Sequence, residues 1–278
     1  MFHESAISLS RSCYSKVIVT VPVVHSTVPQ NAKMLPMWRG PIVNPVSKPL
    51  TFCMSATQHY DQSYFSWQQS LGEFSAKANF FRFAPYVRVT DRVIDFGCGG
   101  GHLLSVLRCA DRRGIEVNPI ARVEAERRGV KCVAGASDLP DEWADVVISN
   151  SALEHTEDPL TELRQLLPKV RRGGLVIFCV PHETTGWRYK PNDINQHLYT
   201  WSPMALGNLF TTAGFSVAWV KSDKSLWPPH YERIYNVFGE IVFRAICKLY
   251  RWARLGLSPL KTFPTDATIV VLAHRSSE

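Results

Sequence analysis

The chain has 278 residues, of which 45% are hydrophobic and 20% charged, which excludes fibrous and wholly disordered classes and leaves room for one large globular domain. The formal net charge is +7, but residues 1–53 hold five Lys or Arg (Arg11, Lys16, Lys33, Arg39, Lys48) against Glu4 alone. Most of the excess is therefore in one end, and no nucleic-acid partner is expected.

Seven cysteines are scattered without CxxC pairing, as suits a reducing cytosol with neither a disulfide framework nor a zinc site. The expected location is cytoplasmic.

Residues 1–53 are rich in Pro, Ser and Val and lack a helical apolar period, the composition of a flexible or disordered N-terminal extension. "KVIVTVPVVH" (Lys16 to His25) is broken by Pro22, has no small-x-small site close behind it, and is too short to span a membrane. The acid-poor leader also resembles an organellar transit peptide, with too few arginines and no clear amphipathic face. Met54 opens "MSATQHYDQSYF", which reads as a native beginning, so the domain is expected over 54–278.

Apolar residues at helical intervals (Phe65, Trp67, Leu71, Phe74, Ala78, Phe81) predict one or two helices over 64–84. Strands and helices then alternate: strand "RVIDF", helix "HLLSVLRCA", strand "GIEVN", helix "PIARVEAERRG", strand "KCVAG", loop "ASDLPDEW", strand "ADVVISN", a helix from about Glu157 to Val170, and strand "LVIFCV". A further helix "MALGNLFTTAG", strand "FSVAWVK" and strand "ATIVVLAH" follow. Val/Ile-rich strands separated by amphipathic helices indicate an α/β fold: a Rossmann-like, seven-stranded, mostly parallel, doubly wound sheet with helices on both faces. Ligands of such sheets bind at the carboxyl ends of the strands.

The glycine run "GCGGG" (Gly97 to Gly101) lies at such an end. In a dinucleotide G-x-G-x-x-G starting at Gly97, the third glycine would fall on His102, so the register is wrong. Asp95 suits a ligand with a positive amino group and would repel a pyrophosphate. Glu116 stands about twenty residues on, where a carboxylate can accept hydrogen bonds from ribose hydroxyls. Together they point to an adenosine ligand without a pyrophosphate.

"VIDFGCGGGHLL", "GIEVNP", "SDLPDEWADVVISNSALEHTEDP" and "RRGGLVIFCVP" together resemble the ordered motifs of class I S-adenosylmethionine-dependent methyltransferases, near the branch with type 11 and ubiquinone-biosynthesis-like domains, over roughly residues 58–275. The resemblance implies S-adenosyl-L-methionine as cofactor. It places Asp95, Gly97, Gly99 and Gly101 around the methionine part, Glu116 on the ribose, and the adenine near Ala136 to Leu139. It adds Asn150, at the end of the fourth strand, to the cofactor set. Many relatives read G-D-A before the L-P pair; here Gly135 stands at the acid's position and Asp138 follows three residues later. Asp138 either meets the adenine or caps the loop while backbone amides recognise the base. Tyr60 and Tyr64 either close over the cofactor or pack in place.

In "SALEH", Ser151, Glu154 and His155 would share a helical face. Some relatives hold a divalent ion there with E-x-x-E-H, but Ser151 replaces the first carboxylate, so no metal is expected. His155 either serves as general base and acceptor-orienting group or caps the following helix. In "DINQHLYTW" (Asp193 to Trp201), His197 lies where an acceptor would enter. Tyr199 and Trp201 either offer flat faces to it or fill the core.

A helical insertion is expected over 230–257, before the last strand. It sets Arg244, Lys248, Arg251 and Arg254 opposite Phe238, Ile241, Val242, Ala245, Leu249 and Trp252. Such a helix either lies on an anionic membrane surface, making the protein membrane-peripheral, or buries its apolar face against the domain or a second subunit.

The expected activity is methyl transfer to an acceptor, at oxygen, on a small molecule, sugar or lipid-linked saccharide. The alternatives are a catalytically inactive scaffold of the same fold and a nicotinamide-dependent oxidoreductase. The intact glycine loop and Glu116 weigh against the scaffold, and the glycine register and Asp95 against the oxidoreductase.

Overall fold

The computed structural model describes residues 62–182, 189, 193, 195–224, 226–256 and 267–277, with the side chains of the first helix described from Gly72 onward. The 1–53 extension, Tyr60 and the side chain of Tyr64 lie outside the described residues.

Helix α1 (Gln62–Phe83) precedes strand β1 (Arg92–Phe96). Then follow α2 (His102–Val106), β2 (Asp111–Ile115), α3 (Pro119–Arg127), β3 (Lys131–Val133), β4 (Ala144–Asn150), α4 (Pro159–Leu166) and β5 (Val170–His182). Helix α5 (Pro203–Ala213), β6 (Ser216–Lys224), α6 (Tyr231–Gly256) and β7 (Ala267–His274) complete the order. The seven strands form one sheet in the order β3-β2-β1-β4-β5-β7-β6. Strands β1 to β5 run parallel, and β7 is antiparallel to both its neighbours. The expected doubly wound, mostly parallel sheet is what the chain forms.

Both faces of this sheet are buried, because alternate residues of its strands point to opposite sides. Ile94, Phe96, Val176, Phe178 and Ile269 join a core with Leu163 and Leu166 of α4 and Leu206 and Phe210 of α5. Val93, Ile148, Ile177, Cys179 and Val270 join another with Ala76 and Phe83 of α1, Leu103 and Leu104 of α2 and Ala125 of α3. Each fully buried Phe or Leu contributes roughly 1.5–3 kcal/mol by leaving water, so continuous Val/Ile runs at β1, β4 and β5 are what a two-faced sheet requires.

Three helices start alike. Asn118, Asp158 and Ser202 each accept a backbone N–H of the first turn, and a proline follows at once in Pro119, Pro159 and Pro203. Side-chain cap and pre-set φ together fix where each helix begins.

The chain winds outward from β1 through β2 to β3, then returns to place β4 on β1's other side. That reversal opens a crevice at the carboxyl ends of β1 and β4.

Helix α6 departs from expectation. Gly239 (φ 74°, ψ 177°) interrupts its helical backbone. Phe243 and Cys247 bury against Phe74 and Ala78 of α1, with Trp227, Tyr231 and Tyr235 packed around them. The apolar stripe read from the sequence is not the face that meets the domain: Phe238, Ile241, Leu249 and Trp252 are 57%, 83%, 63% and 73% exposed. Among the described residues no helix is long and apolar enough to cross a membrane.

Candidate active site

Strand β1 delivers Asp95, 3% exposed, to the crevice. Burial, reinforced by nearby Cys132 and Glu116, holds its carboxyl well above the usual aspartate range. A cationic ligand at this end would offset that cost.

The glycine loop then turns sharply. Gly97, Gly99 and Gly101 all have left-handed φ, 72°, 51° and 75°. A side chain at Gly97 would place its Cβ 2.2 Å from the Cβ of Ala152 in the loop after β4, and one at Gly101 would meet Ala125 of α3 at 3.0 Å. These two glycines bring β4's end and α3 close to the crevice. Backbone bonds from Gly97 and Cys98 to the Ile115 carbonyl, 2.8 and 3.1 Å, tie the loop to β2.

The second strand ends earlier than "GIEVN" suggested, at Ile115, which leaves Glu116 in the turn before α3. Glu116 Oε2 accepts from the Gly99 amide at 2.9 Å and Oε1 from the Asn118 amide at 2.8 Å. It is a half-buried carboxylate, not a surface one. Burial raises its pKa, while those two amides act in the opposite direction. With two of a carboxylate's roughly four lone-pair sites engaged, it keeps acceptors for a ribose diol. Bare left-handed backbone, a buried acid and an oriented carboxylate fit an adenosyl-sulfonium ligand.

Beneath the loop, Gly114 lets two thiols meet. Cys98 Sγ and Cys132 Sγ lie 3.6 Å apart across it, and a Cβ there would come within 2.3 Å of Cys98.

At the expected adenine side, Ala136–Asp138 form a 3-10 turn. Ala136 and Leu139 are buried core residues, whereas Asp138 is exposed. Asn150, the last residue of β4, lies half-buried at the strand's carboxyl end.

The expected acceptor segments are built differently from the sequence reading. "SALEH" is not one helical face: Ser151 is left-handed (φ 57°) and exposed, and only Leu153–His155 form a single 3-10 turn. That geometry turns the Glu154 side chain fully inward and sets its Oε1 3.9 Å from His155 Nε2. The connector before α5 then folds over this turn. Leu198 N–H and Tyr199 N–H donate to the Glu154 carbonyl at 2.9 and 3.3 Å, and Tyr199 Oη donates to the Glu157 carbonyl at 2.7 Å.

So held, the rings of His155 and His197 lie 4.8 Å apart between centroids. Glu154, His155 and His197 each bring one ligand atom, all within 4.8 Å of one another. The expectation of no metal counted donors within "SALEH"; His197 adds a third from a distant segment. Trp201 is a core residue, 6% exposed, with its ring stacked on that of Tyr199. Its role is to support the connector, not to present a face to an acceptor.

His102 was missed. Its ring sits against Gly72 of α1 and Gly100 of the loop. Its Nε2 is buried without a hydrogen-bond partner, and burial lowers its pKa. A histidine opening a helix directly after the glycine run was the available signal.

Residues 68–219 match the family model described as a methyltransferase domain. The chain is 37% identical over 100 residues to a ubiquinone biosynthesis O-methyltransferase of Aeromonas salmonicida, a match that covers 31% of this chain and 42% of that protein, so less than half of the relative's length is spanned. An uncharacterized methyltransferase of Mycobacterium bovis is 29% identical over 153 residues, 50% of this chain and 71% of that one. Among solved structures, the fold is similar to that of a SAM-dependent methyltransferase from Thermotoga maritima (TM-score 0.53, 16% identity, 80% of this chain and 98% of that one). It is also similar to a phosphoethanolamine N-methyltransferase 2 from Haemonchus contortus (TM-score 0.55, 14% identity, 80% of this chain and 60% of that one). With the sheet order, the glycine loop and the Glu116 carboxylate already in place, the match over 68–219 means that the chain belongs to the methyltransferase-domain family, the class I S-adenosylmethionine-dependent methyltransferases.

Proposed function

We propose that the chain methylates an oxygen of a small acceptor, a hydroxyl on a small molecule, sugar or lipid-linked saccharide. The observation that carries this reading is the His155–His197 pair beside buried Glu154, at the carboxyl end of β4. S-adenosylmethionine, when bound, supplies a methyl group already activated on a sulfonium. Gly97, Gly99 and Gly101 leave backbone bare for the methionine part, Asp95 faces its positive charge, and Glu116 fixes the ribose. Asn150, Asp138 and Leu139 complete that pocket, and Tyr60 belongs to the same expected set.

On the acceptor side the histidine pair removes one proton. S-adenosylmethionine, held by Asp95, the glycine loop and Glu116, would supply the methyl to the hydroxyl oxygen and keep the released electron pair on its sulfur. The hydroxyl proton passes to an imidazole nitrogen, and the Glu154 carboxylate favours the imidazolium formed. The O-methyltransferase name of the Aeromonas relative supports oxygen as the atom methylated.

The cluster favours one other reading. With three donors in reach, Glu154, His155 and His197 can hold a divalent cation that binds the acceptor oxygen and lowers its pKa.

Transfer of labelled methyl to a panel of hydroxyl and amine acceptors, with and without a chelator, separates these. His155→Ala should lower kcat about 10²-fold or more while S-adenosylhomocysteine still binds. An unchanged rate in that variant sinks both readings. Loss of activity on chelation replaces the free base by the cation, and methylation of amines alone removes oxygen.

A further inference from the structure

We infer that helix α6 is a docking surface for an anionic lipid bilayer, whichever acceptor the enzyme uses. After the break at Gly239, Ile241, Val242, Leu249 and Trp252 fall on one side of the helix and point outward, with Ile241 83% and Trp252 73% exposed, and Phe238 is exposed just before the break. A contiguous row of large apolar side chains on a folded domain marks an interaction surface.

The charge beside the row selects the occupant. Helix α6 carries Arg233, Arg244, Lys248, Arg251 and Arg254 against Glu232 and Glu240. A second copy meeting this stripe face to face would bring those cations together. An anionic headgroup layer would complement them, with the apolar row at the acyl boundary.

A cleft along the same helix strengthens the choice. Phe81, Arg82, Asp223, Arg244 and Lys248 line it. The Arg82 side chain is only 8% exposed and is held by Asp223 at 2.5 Å, yet its Nε makes no hydrogen bond. Arg244 lies over the Phe81 ring at 3.6 Å. Lys248 stands exposed at the rim, one helical turn from Leu249's row. Arg82 is already paired with Asp223 behind it, so Arg244 and Lys248, at the mouth of the cleft beside the apolar row, are the charges an anionic headgroup layer would meet.

The placement has a functional side. Strand β6 runs parallel to β1 and β4 through β7, so α6 departs from the same end of the sheet as the glycine loop. It also packs on α1, which touches His102 at the loop. A bilayer under α6 would lie at the site's end of the molecule.

The test is co-sedimentation of the full chain with phosphatidylcholine vesicles, with and without about a third phosphatidylglycerol. Binding to the anionic vesicles alone is expected, weakened about fivefold by each of Lys248→Glu and Arg251→Glu at low salt. Ile241→Ser with Trp252→Ser should reduce it more than tenfold. Both are exposed, so S-adenosylhomocysteine binding should persist, which separates this inference from the catalytic one. Equal binding by the stripe variant, or no partitioning onto either vesicle, overturns it. In the latter case sedimentation velocity identifies the cover, a concentration-dependent dimer for a second copy or a monomer for a segment of the chain itself.

Discussion

The two halves of the crevice are assembled by different means. On the proposed cofactor side, Asp95, the glycines and Glu116 fall within 22 consecutive residues, and short bonds from the Gly97 and Cys98 amides to Ile115 and from the Gly99 amide to Glu116 lock them. On the proposed acceptor side, Glu154, His155 and His197 come from segments 42 residues apart, joined by two amides on one carbonyl and a Tyr199 hydroxyl. The first half is a local motif whose geometry travels with its sequence; the second is a meeting of distant pieces. A fold can therefore keep one and vary the other, which fits a fixed methyl donor and changeable acceptors.

Substitutions can break that contrast. The largest effect is expected at Gly97→Val, where a left-handed φ and a Cβ 2.2 Å from Ala152 together cost about 3 kcal/mol or more. Thermal denaturation should show a fall of about 10 °C, with partial recovery on adding Ala152→Gly. An unchanged melting point would mean the loop is not locked as described.

Next comes Glu116→Ala, which removes two amide bonds and the proposed ribose contact. Calorimetry should show S-adenosylhomocysteine binding weakened about tenfold to 100-fold, with the His155–His197 corner intact. If acceptor binding falls equally, the halves are not independent.

The smallest effect is a pH dependence that sharpens the picture of Asp95. Its folded pKa is raised by burial, so its bound proton stabilises the fold fully below the ordinary aspartate range, and that contribution is lost as pH rises through the shifted value. A cationic ligand favours the ionised form, so S-adenosylmethionine affinity should rise severalfold with pH over that window. Asp95→Asn should flatten the profile. A flat profile in the unaltered protein would place the positive charge elsewhere.

Sequence made the sheet legible because strands buried on both faces must be apolar throughout. "RVIDF", "ADVVISN" and "ATIVVLAH" coincide with β1, β4 and β7. Strand β5 starts at Val170, ahead of the expected Leu175, because Val170 pairs with Ala144 and the polar run Arg171–Gly174 bulges out of the ladder before Leu175 pairs with Val146. Periodicity says nothing of that. Helix α2 stops at Val106 because Leu107 turns extended to enter the core, where the apolar pattern continued through Ala110.

The site divides along the same line. Spacing singled out Asp95, the glycines and Glu116, and the structure brings them together at the end of β1. The contact between His155 and His197 was not readable, since no local pattern encodes which connector folds over the β4 turn. Ser151 misled because the residue types fit a helix while its φ of 57° prevents one. For α6, the wheel gave the stripe correctly but not the side the domain takes, which aromatic packing of Phe74 with Tyr231, Tyr235 and Phe243 decides.

Strand β7 lies between β5 and β6, and among the described residues it is β6's one partner in the sheet. During synthesis β6 is complete at Lys224, yet its ladder cannot form until Ala267 to His274 have been made. Until then β5 and β6 present open edges, while α6, made between β6 and β7, has only α1 to pack against. The nascent chain thus carries exposed strands and an apolar helix at the same time, so this stretch is where a chaperone would be most needed and where misassembly would begin.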